Sequence, residues 1–345
     1  MSVSTDYSRW MENLPENVRN EVPLHNLAIP GSHDSGTYKL RTDFAASPDA
    51  PGALTRWLRY PMVSRVVKCF MRRWSKCQRV SISDQLGAGV RYFDLRVAYK
   101  RRLQSPSDTI STEDFHLVHS LYGPRVSDVV DEVKNFLKEH PREVVLMDLN
   151  HFYMNQEDRH MQGEIHTSLI QYLGHQFSDV LRPAPGPGEQ IPTLNELSEG
   201  NQQVIVIYRS GTRDDKIING SSLQNKIKEN KLWPGTWIES PWANTMDVTH
   251  CLGELEASAK NREGSIFHVF QAVLTPDADY IGPNCRCKCC GSVEADCADV
   301  INPQLMEWIK KDALKGSRGM IYITDFVDKP EDFVASVVSL NGQAK

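Results

Sequence analysis

The sequence lacks any apolar run that approaches the ~18–20 residues needed to span a bilayer. The segment from Met1 to Pro15 also lacks the apolar stretch of a secretory signal peptide. Basic residues are not in excess, because 39 lysines and arginines stand against 44 acidic residues and give a formal net charge of −5. These absences favour a soluble cytoplasmic protein whose eight cysteines are reduced, and they remove the general electrostatic argument for nucleic-acid binding.

What is present is a pattern of strand-like segments that alternate with helix-like segments along 345 residues. Such alternation implies parallel strands joined by right-handed crossovers. The eight predicted strands are Leu27–Pro30, Val90–Val97, Phe115–His119, Val144–Asn150, Val204–Tyr208, Thr236–Glu239, Ile266–Val273 and Met320–Phe326. The predicted helices include Val129–Glu139, Glu157–Leu173, Cys251–Lys260, Pro303–Leu314 and Glu331–Leu340. Eight strands favour a closed α/β barrel, and an open sheet is the alternative.

The strongest motif follows the first predicted strand, which runs through Pro30 and Gly31 into His33 and Asp34. Residues just beyond the C-terminal ends of barrel strands line active sites. Histidine is the side chain whose ordinary pKa suits acid–base catalysis near neutral pH. The motif therefore predicts a catalytic position, and a turn that happens to contain His33 and Asp34 is the alternative.

The second motif lies on the predicted strand Val90–Val97, where Asp94 and Arg96 share one face because strand side chains alternate. Charged groups that point into a barrel must be paired or must bind a ligand. The planar guanidinium of Arg96 is suited to holding a phosphate group. A purely structural Asp94–Arg96 ion pair is the alternative.

Three further strand ends carry polar side chains, each a weak signal alone. His119 ends its strand on the face that would reach the barrel mouth, whereas His116 falls on the opposite face and is expected to be packing or surface. Asp148 and Asn150 share a face of the fourth strand, and Asp325 ends the last one. Five strand ends with such residues are more than scattered core placement would favour.

These motifs together resemble a known catalytic domain. Gly31-Ser-His-Asp-Ser35, Tyr92-Phe-Asp-Leu-Arg96, His119 and Thr324-Asp-Phe326 resemble the X domain of phosphatidylinositol-specific phospholipase C. Leu232-Trp-Pro-Gly235 and Pro241-Trp-Ala-Asn-Thr245 resemble its stand-alone group, the PI-PLC X domain-containing proteins. The resemblance implies a distorted TIM (β/α)8 barrel. We expect one such catalytic domain over residues 1–345, with its core at about 22–341 and no separate regulatory domain.

The resemblance also implies a reaction, in which phosphatidylinositol-like lipid is cleaved to diacylglycerol and an inositol (cyclic) phosphate. The substrate's own 2-hydroxyl attacks the neighbouring phosphodiester, so that proximity supplies much of the rate. In this mechanism His33 is the general base and Asp325 orients it. His119 is the general acid, with Asp34 as its carboxylate partner.

Arg96 would stabilise the charge that develops on the phosphoryl oxygens, and Asp94 would hold Arg96 in place. Four residues occupy positions similar to those that contact inositol in the bacterial enzymes: Asn150, Arg209, Glu239 and Trp242. The sequence departs from those enzymes at Asn150, where they have a lysine. Glu239 and Trp242 align only loosely.

A second departure concerns metal binding. The large signalling members of the family hold calcium with an Asn directly after the first His and with a Glu-x-Asp pair on the second strand. This chain has Asp34 and Asp94-x-Arg96 at those places, and a guanidinium repels a divalent cation while it can replace the cation's charge. We therefore expect no metal cofactor, and a calcium site made of Asp34, Asp94 and Asp148 is the alternative.

Two other segments remain open in function. Thr55–Arg79 contains eight basic residues, and no acidic residue occurs between Asp49 and Asp84. Its apolar residues share one helical face: Val63, Val66, Val67, Phe70 and Trp74. Such a helix either contacts an anionic lipid surface or packs against the core.

Five cysteines lie close together in one predicted loop: Cys285, Cys287, Cys289, Cys290 and Cys297. We interpret this segment as a surface loop with reduced cysteines, and a zinc or redox site is the alternative.

The leading hypothesis is thus a phospholipase C-type phosphodiesterase with a phosphoinositide lipid as substrate and a transient contact with an anionic membrane. A metal-dependent glycerophosphodiesterase or sphingomyelinase on a similar barrel is one alternative, and it would need a carboxylate cluster in place of Arg96. A catalytically inactive lipid-binding scaffold is another. It is disfavoured because both histidines and both aspartate partners are present.

Overall fold

The computed structural model describes residues 6–101, 110–209, 220–284, 291–315 and 319–343. The strands are β1 (Ile29–Ser32), β2 (Tyr92–Tyr99), β3 (Phe115–His119), β4 (Leu121–Arg125), β5 (Val145–Tyr153), β6 (Val204–Tyr208), β7 (Trp233–Pro234), β8 (Ile238–Glu239), β9 (Phe267–Ala272) and β10 (Ile321–Thr324). The α-helices are α1 (Glu16–Glu21), α2 (Gly52–Thr55), α3 (Pro61–Ser75), α4 (Ile82–Ala88), α5 (Val126–Glu139), α6 (Gln162–Gln176), α7 (Leu194–Glu199), α8 (Gly220–Glu229), α9 (Val248–Asn261), α10 (Ala278–Asn284), α11 (Asp299–Lys315) and α12 (Phe333–Ser339). Within the described residues, none of these helices has both the length and the apolar character that crossing a bilayer requires.

The sheet curls because its two outermost strands belong to one short segment. Its order is β7-β6-β5-β2-β1-β10-β9-β8, and all of these neighbours are parallel. Within residues 233–239, Trp233 pairs with Ile207 of β6, and Ile238 pairs with Phe267 of β9. This segment links the two ends of the sheet, as the topology of a distorted α/β barrel requires.

The core lies in two layers because side chains alternate along each strand. On β10, Ile321 and Ile323 pack with Ile29 in the cluster that fills the barrel interior. Tyr322, between them, points to the opposite side and belongs to the outer cluster. The outer cluster also contains Val129 and Val133 on the buried face of α5, so it lies between the sheet and the helices.

Strand β3 corrects one expectation, because it is not a wall of the barrel. Its bounds match the predicted Phe115–His119, but it pairs with β2 antiparallel and forms a hairpin with β4. Only Ser120, at φ 59°, separates the two strands of that hairpin, and a parallel pair would need a crossover of a dozen or more residues. Strand β4 was not predicted, since Gly123 and Pro124 interrupt its pattern.

Other predicted elements are confirmed with shifted ends. Strand β6 has the predicted bounds, while the predicted strand Thr236–Glu239 starts as a 3-10 turn and becomes a strand only at β8. The predicted helix Glu157–Leu173 likewise starts with a 3-10 segment before α6. Helix α11 begins before the predicted Pro303 and contains that proline inside it. Patterns of burial predict the middle of an element better than its ends.

Candidate active site

The C-terminal ends of β1 and β10 bring two distant residues together. Ser32 pairs with Thr324 in this parallel ladder, so the next residues, His33 and Asp325, lie side by side. The Nδ1 atom of His33 lies 2.7 Å from Oδ1 of Asp325. Because Asp325 can only accept there when ionised, Nδ1 carries the hydrogen, and Nε2 of His33 faces the rest of the site.

The strand that carries His33 is closely packed on both sides. A Cβ atom at Gly31 would come within 2.8 Å of Ile323 and 2.9 Å of Tyr92, so only glycine fits between β2 and β10. Below the histidine, the Nε2 atom of Gln78 donates to the carbonyl oxygens of His33 at 2.9 Å and of Thr324 at 3.0 Å. This amide fixes the two strand ends in register.

Arg96 is the cation of the site, and it bridges His33 and Asp34. Its Nε lies 2.6 Å from Oδ1 of Asp34, and its Nη2 lies 3.1 Å from Nε2 of His33. The expected direct pair with Asp94 is replaced by this pair with Asp34. A bulge between Leu95 and Arg96 shifts the register of β2 against β5, and bulges re-aim side chains in this way.

Asp34 sits at the centre of the cluster in a strained backbone conformation, with φ at 41°. Its Oδ2 lies 3.3 Å from Nδ1 of His119 and 3.5 Å from Nε2 of His33. Its backbone N–H donates to Asp94 at 3.1 Å. Burial disfavours the carboxylate, but the charge of Arg96, followed by those of His119 and His33, outweighs it and lowers the pKa of Asp34 to about 2.

The carboxylates around His33 make it unusually basic. Burial alone would disfavour the imidazolium, but the negative charges of Asp34, Asp325 and Asp94 outweigh burial and raise the pKa of His33 to about 9. Protonation of Nε2 at neutral pH therefore requires Nη2 of Arg96 to move away from its 3.1 Å contact, since both atoms would then carry hydrogens. A base at this position becomes fully available only as the pH approaches that value.

His119 reaches the cluster from the end of β3, with its side chain about one quarter exposed. Its Nδ1 donates to the main-chain oxygen of Ser75 at 2.9 Å and also faces Asp34. That leaves Nε2 as the ring nitrogen available to a leaving group. His116, on the other face of β3, is buried beside the carbonyl of Gly123, which agrees with a packing role.

A second cluster lies next to the first, around Asp148 of β5. Asp148 is paired in register with Asp94, and it accepts hydrogen bonds from the Tyr92 hydroxyl at 2.6 Å and from Nε of Arg209 at 2.9 Å. Burial raises the pKa of Asp148, and Arg209 opposes that change. Both oxygens of Asp148 thus hold donors, which fixes the Arg209 guanidinium at the strand ends.

The four residues predicted to contact the head group divide into two pairs. Arg209 joins the second cluster, and Asn150 donates to Asp94 and lies next to His151. Glu239 instead faces His268 at 3.5 Å, and the half-exposed Trp242 donates to Thr275 at 2.9 Å.

Among the described residues, no hydrogen bond or ion pair joins Glu239 or Trp242 to the His33 cluster. In the sequence, Glu239 and Trp242 align only loosely with the inositol-contacting positions of the bacterial enzymes. That weak alignment already distinguishes them from Arg209 and Asn150.

Cys77 lies inside the cluster, although it was not predicted from the sequence. Its Sγ is 3.9 Å from Oδ2 of Asp34 and 3.8 Å from Nδ1 of His119, and the side chain is fully buried. Burial, with the nearby Asp325 and Asp34, raises the pKa of this thiol well above its usual value. A lone cysteine inside the basic segment Thr55–Arg79, two residues after the observed end of α3, has no sequence pattern that would mark it.

Helix α3 ends beside the site. The sequence left open whether this basic helix packs against the core or contacts a lipid surface. Its C-terminal half packs on the protein, with Met71, Trp74 and Ser75 buried. Its N-terminal half does not, because the side chains of Met62 and Val66 are 89% and 70% exposed. Exposed aromatic residues precede it, at Trp57 and Tyr60, among exposed arginines. The predicted apolar face is therefore half core and half open surface.

Of the five clustered cysteines, the structure describes Cys297. Cys285, Cys287, Cys289 and Cys290 lie outside the described residues. Cys297 is buried and carries a free thiol.

The fold and the arrangement around His33 define a barrel of the phosphatidylinositol-specific phospholipase C type. The structure is similar to that of this enzyme from S. aureus, with a TM-score of 0.63, 17% identity, and coverage of 97% of this chain and 98% of that one. At that identity the similarity shows the fold, and it confirms the predicted distorted TIM barrel.

Sequence relatives identify the family more closely. The chain is 34% identical to the Mus musculus PI-PLC X domain-containing protein 2, over 96% of this chain and 87% of that protein. It is 32% identical to the Homo sapiens PI-PLC X domain-containing protein 3, over 96% and 92%. No family model matches the chain. The chain belongs to the PI-PLC X domain-containing proteins, which confirms the resemblance seen in its motifs.

Proposed function

We propose that this protein is a phosphodiesterase of the phospholipase C class that cleaves phosphatidylinositol-like lipids. The observation that carries the proposal is the placement of two histidines on either side of Asp34, with Arg96 bridging to the first. His33 is oriented by Asp325, and His119 is oriented by Asp34 and Ser75. The names of its relatives and of the S. aureus enzyme support the same substrate class.

The reaction begins with a proton transfer to His33. Its Nε2, once neutral, takes the proton of the inositol 2-hydroxyl, and Asp325 stabilises the resulting imidazolium from the other side of the ring. The 2-oxygen forms a bond to phosphorus. The bond between phosphorus and the diacylglycerol oxygen breaks, and His119 donates a proton to that oxygen. The products are diacylglycerol and a cyclic inositol phosphate.

Arg96 supplies the positive charge that this displacement needs. Its Nη2 already lies beside His33, so it can contact a phosphoryl oxygen next to the attacking hydroxyl. Asp34 holds the other edge of the guanidinium. We propose that this cation replaces a metal ion and that the reaction proceeds without one.

We further propose that the open half of α3 contacts the membrane. The exposed apolar side chains there are accompanied by Arg56, Arg59 and Arg65, which are also exposed. Apolar side chains flanked by arginines are suited to an anionic lipid surface. Since α3 ends at Ser75 beside His119, a lipid under this helix would have its phosphate near the site.

The test is product analysis with purified protein and labelled phosphatidylinositol in vesicles, with and without EDTA. Release of diacylglycerol and cyclic inositol phosphate that EDTA does not reduce is expected. The His33→Ala variant should lose this activity, and the His160→Ala variant, altered at an exposed histidine, should keep it. Binding of vesicles without hydrolysis would favour the inactive scaffold. Hydrolysis that EDTA abolishes would favour a metal-dependent enzyme.

A further inference from the structure

Within the part of the chain that the structure describes, one group of side chains is arranged closely enough to hold a metal ion. One donor atom each of His33, Asp34 and Cys77 lies within 4.8 Å of the others. Nε2 of His33 is 3.5 Å from Oδ2 of Asp34, and Sγ of Cys77 is 3.9 Å from that same oxygen. These donors come from the end of β1 and from the residues that follow α3.

The spacing suits a small tetrahedral ion. Zinc binds nitrogen and oxygen at about 2.0–2.2 Å and sulfur at about 2.3 Å, which places neighbouring donors about 3.3–3.7 Å apart. Only small movements would bring the three donors to such distances. The donor set is one nitrogen, one oxygen and one sulfur, whereas calcium and magnesium require mostly oxygen ligands.

We propose that His33, Asp34 and Cys77 form a binding site for a thiophilic divalent cation of the zinc class, and that the bound cation inhibits the enzyme. Three protein ligands leave a fourth position for water or a substrate oxygen. When the cation binds, metal bonds to the Cys77 sulfur and to Nε2 of His33 form, and the thiol proton of Cys77 and the Nε2 proton of His33 leave to solvent.

The surroundings support the ligands in two ways. Nδ1 of His33 donates to Asp325, and such a carboxylate–histidine pair orients Nε2 toward a metal, which binds once Nε2 has lost its proton. Asp94 lies 3.8 Å from the same Nε2, so two further carboxylates offset the charge of the cation. The left-handed backbone at Asp34 fixes its carboxylate at the centre of the group.

Arg96 opposes the cation and has to give up one contact. Its Nη2 lies 3.1 Å from Nε2 of His33, where the metal would bind, whereas its Nε contacts the other oxygen of Asp34. The metal-bound state therefore needs Nη2 to turn away, and the partly exposed side chain of Arg96 allows that movement. Removal of the guanidinium should tighten metal binding.

Inhibition is expected because the metal and the substrate proton would both use the lone pair on Nε2 of His33. The same Nε2 electrons cannot bind a metal and take a substrate proton. This consequence rests on the proposed function, whereas the binding of the metal does not.

The binding test uses full-length protein in which Cys69, Cys285, Cys287, Cys289 and Cys290 are replaced by serine, so that an exposed thiol and the cysteine-rich segment do not contribute. Titration with Co2+ should give one equivalent bound, with a sulfur-to-cobalt charge-transfer band. In the same background Cys77→Ser and Cys77→Ala should abolish that band. They should also weaken Zn2+ binding, measured by chelator competition, by at least about tenfold, since even second-shell partners of a metal are worth that much.

Two further variants test whether metal binding depends specifically on Cys77 and whether Arg96 opposes it. Cys251→Ser, at another buried thiol, should leave the cobalt band and the zinc affinity unchanged, whereas Arg96→Gln should raise the zinc affinity. An unchanged affinity in both Cys77 variants would overturn the proposal, as would the absence of the band in the Cys77-containing protein, which needs no variant to fold.

The activity test keeps the two proposals apart. In metal-free protein, Zn2+ should inhibit hydrolysis of a soluble inositol phosphodiester competitively, and EDTA should restore the rate. Metal binding that depends on Cys77 in a protein without hydrolytic activity would refute the proposed function but not the site. Hydrolysis that Zn2+ does not affect would refute the inhibition.

Discussion

At the scale of single residues, three carboxylates and one guanidinium lie around His33, so negative charge is in excess around this ring. Asp34, Asp94 and Asp325 all lie within 3.8 Å of a His33 nitrogen, and Arg96 is the guanidinium among them. The excess makes His33 a strong base that is mostly protonated at neutral pH. In the proposed mechanism, the attacking hydroxyl would give its proton to the small neutral fraction of His33, whose intrinsic basicity is high.

This charge balance predicts a pH dependence. With a nitrophenyl inositol phosphate, whose leaving group needs no proton, kcat/KM should rise about tenfold per pH unit from 7 and level off above about 9. The rise follows the deprotonation of His33. The Asp325→Asn variant removes a charge that raises the pKa of His33, so its plateau should begin at lower pH. Asp328→Asn, at a partner of Arg79, is the control. A wild-type plateau that begins near pH 6.5 would contradict this assignment.

The leaving group separates the roles of the two histidines. His119→Ala should lower hydrolysis of the natural lipid by about 10²–10⁴-fold, because the alkoxide leaving group must be protonated. The same variant should lose at most about tenfold on the nitrophenyl substrate, since nitrophenolate leaves unprotonated. The measurement is the ratio of the two losses. Equal losses would remove His119 from the role of general acid.

The sequence predicts those site residues that follow strands, and the reason is geometric. His33 and Asp325 follow the ends of β1 and β10, and Arg96 lies on the adjacent β2 just beyond its pairing with β1; parallel strands place their C-terminal ends at one edge. Cys77 and Gln78 were not predicted because they follow a helix, where no alternation restricts which way a side chain points. Only the packed tertiary structure brings them under β1.

At the scale of elements, α3 combines two surfaces that its sequence pattern does not separate. Val63, Val66, Val67, Phe70 and Trp74 recur at helical spacing along its whole length, but burial begins only in its second half. The periodicity predicts the helix, because any amphipathic helix needs it. The buried part of the stripe packs near the start of β4, where Met71 and Leu121 share one cluster, and β4 was not predicted from the sequence.

The exposed arginines of α3, together with the exposed apolar side chains of its N-terminal half, predict salt-sensitive membrane binding. Replacing Arg65, Arg72 and Arg73 by glutamine should weaken binding to anionic vesicles by about fivefold per arginine at low salt, since each is worth about 1 kcal/mol near such a surface. Replacing Met62 and Val66 by serine should weaken it at any salt concentration. Vesicle co-sedimentation measures both effects.

The matched control for these variants changes Lys310 and Lys311 of α11 to glutamine, on another exposed helix. Hydrolysis of a soluble short-chain substrate should be retained in all variants. Unchanged vesicle binding in both α3 variants would leave this helix a structural element only.

At the scale of the whole molecule, a buried ion pair joins the N-terminal segment to the barrel. Arg91 and Glu143 are fully buried, with Nη2 of Arg91 2.8 Å from Glu143 and 2.7 Å from the main-chain oxygen of Ser8. Glu143 also accepts the backbone N–H of Glu12 at 2.9 Å. The pair therefore holds residues near the start of the chain against the base of β2 and β5.

Removal of either charge of the Arg91–Glu143 pair should lower the stability of the protein. Glu143→Gln leaves the Arg91 charge buried without a counter-ion, and the free energy of unfolding should fall by about 3–5 kcal/mol. The control is Glu307→Gln, which breaks an exposed pair with Lys310 and should leave the free energy of unfolding nearly unchanged. Urea denaturation followed by circular dichroism gives both values. A loss below 1 kcal/mol at Glu143 would show that water reaches this pair.

The distance of 292 residues between His33 and Asp325 also has a consequence for biosynthesis. Strand β10, which carries Asp325, fits between β1 and β9, both of which leave the ribosome earlier. A nascent chain that ends before β10 has His33 without its aspartate and a barrel with one wall absent. If the site hydrolyses lipid, that activity is therefore withheld until β10 has been synthesised, because a chain released before that point lacks the aspartate that orients His33.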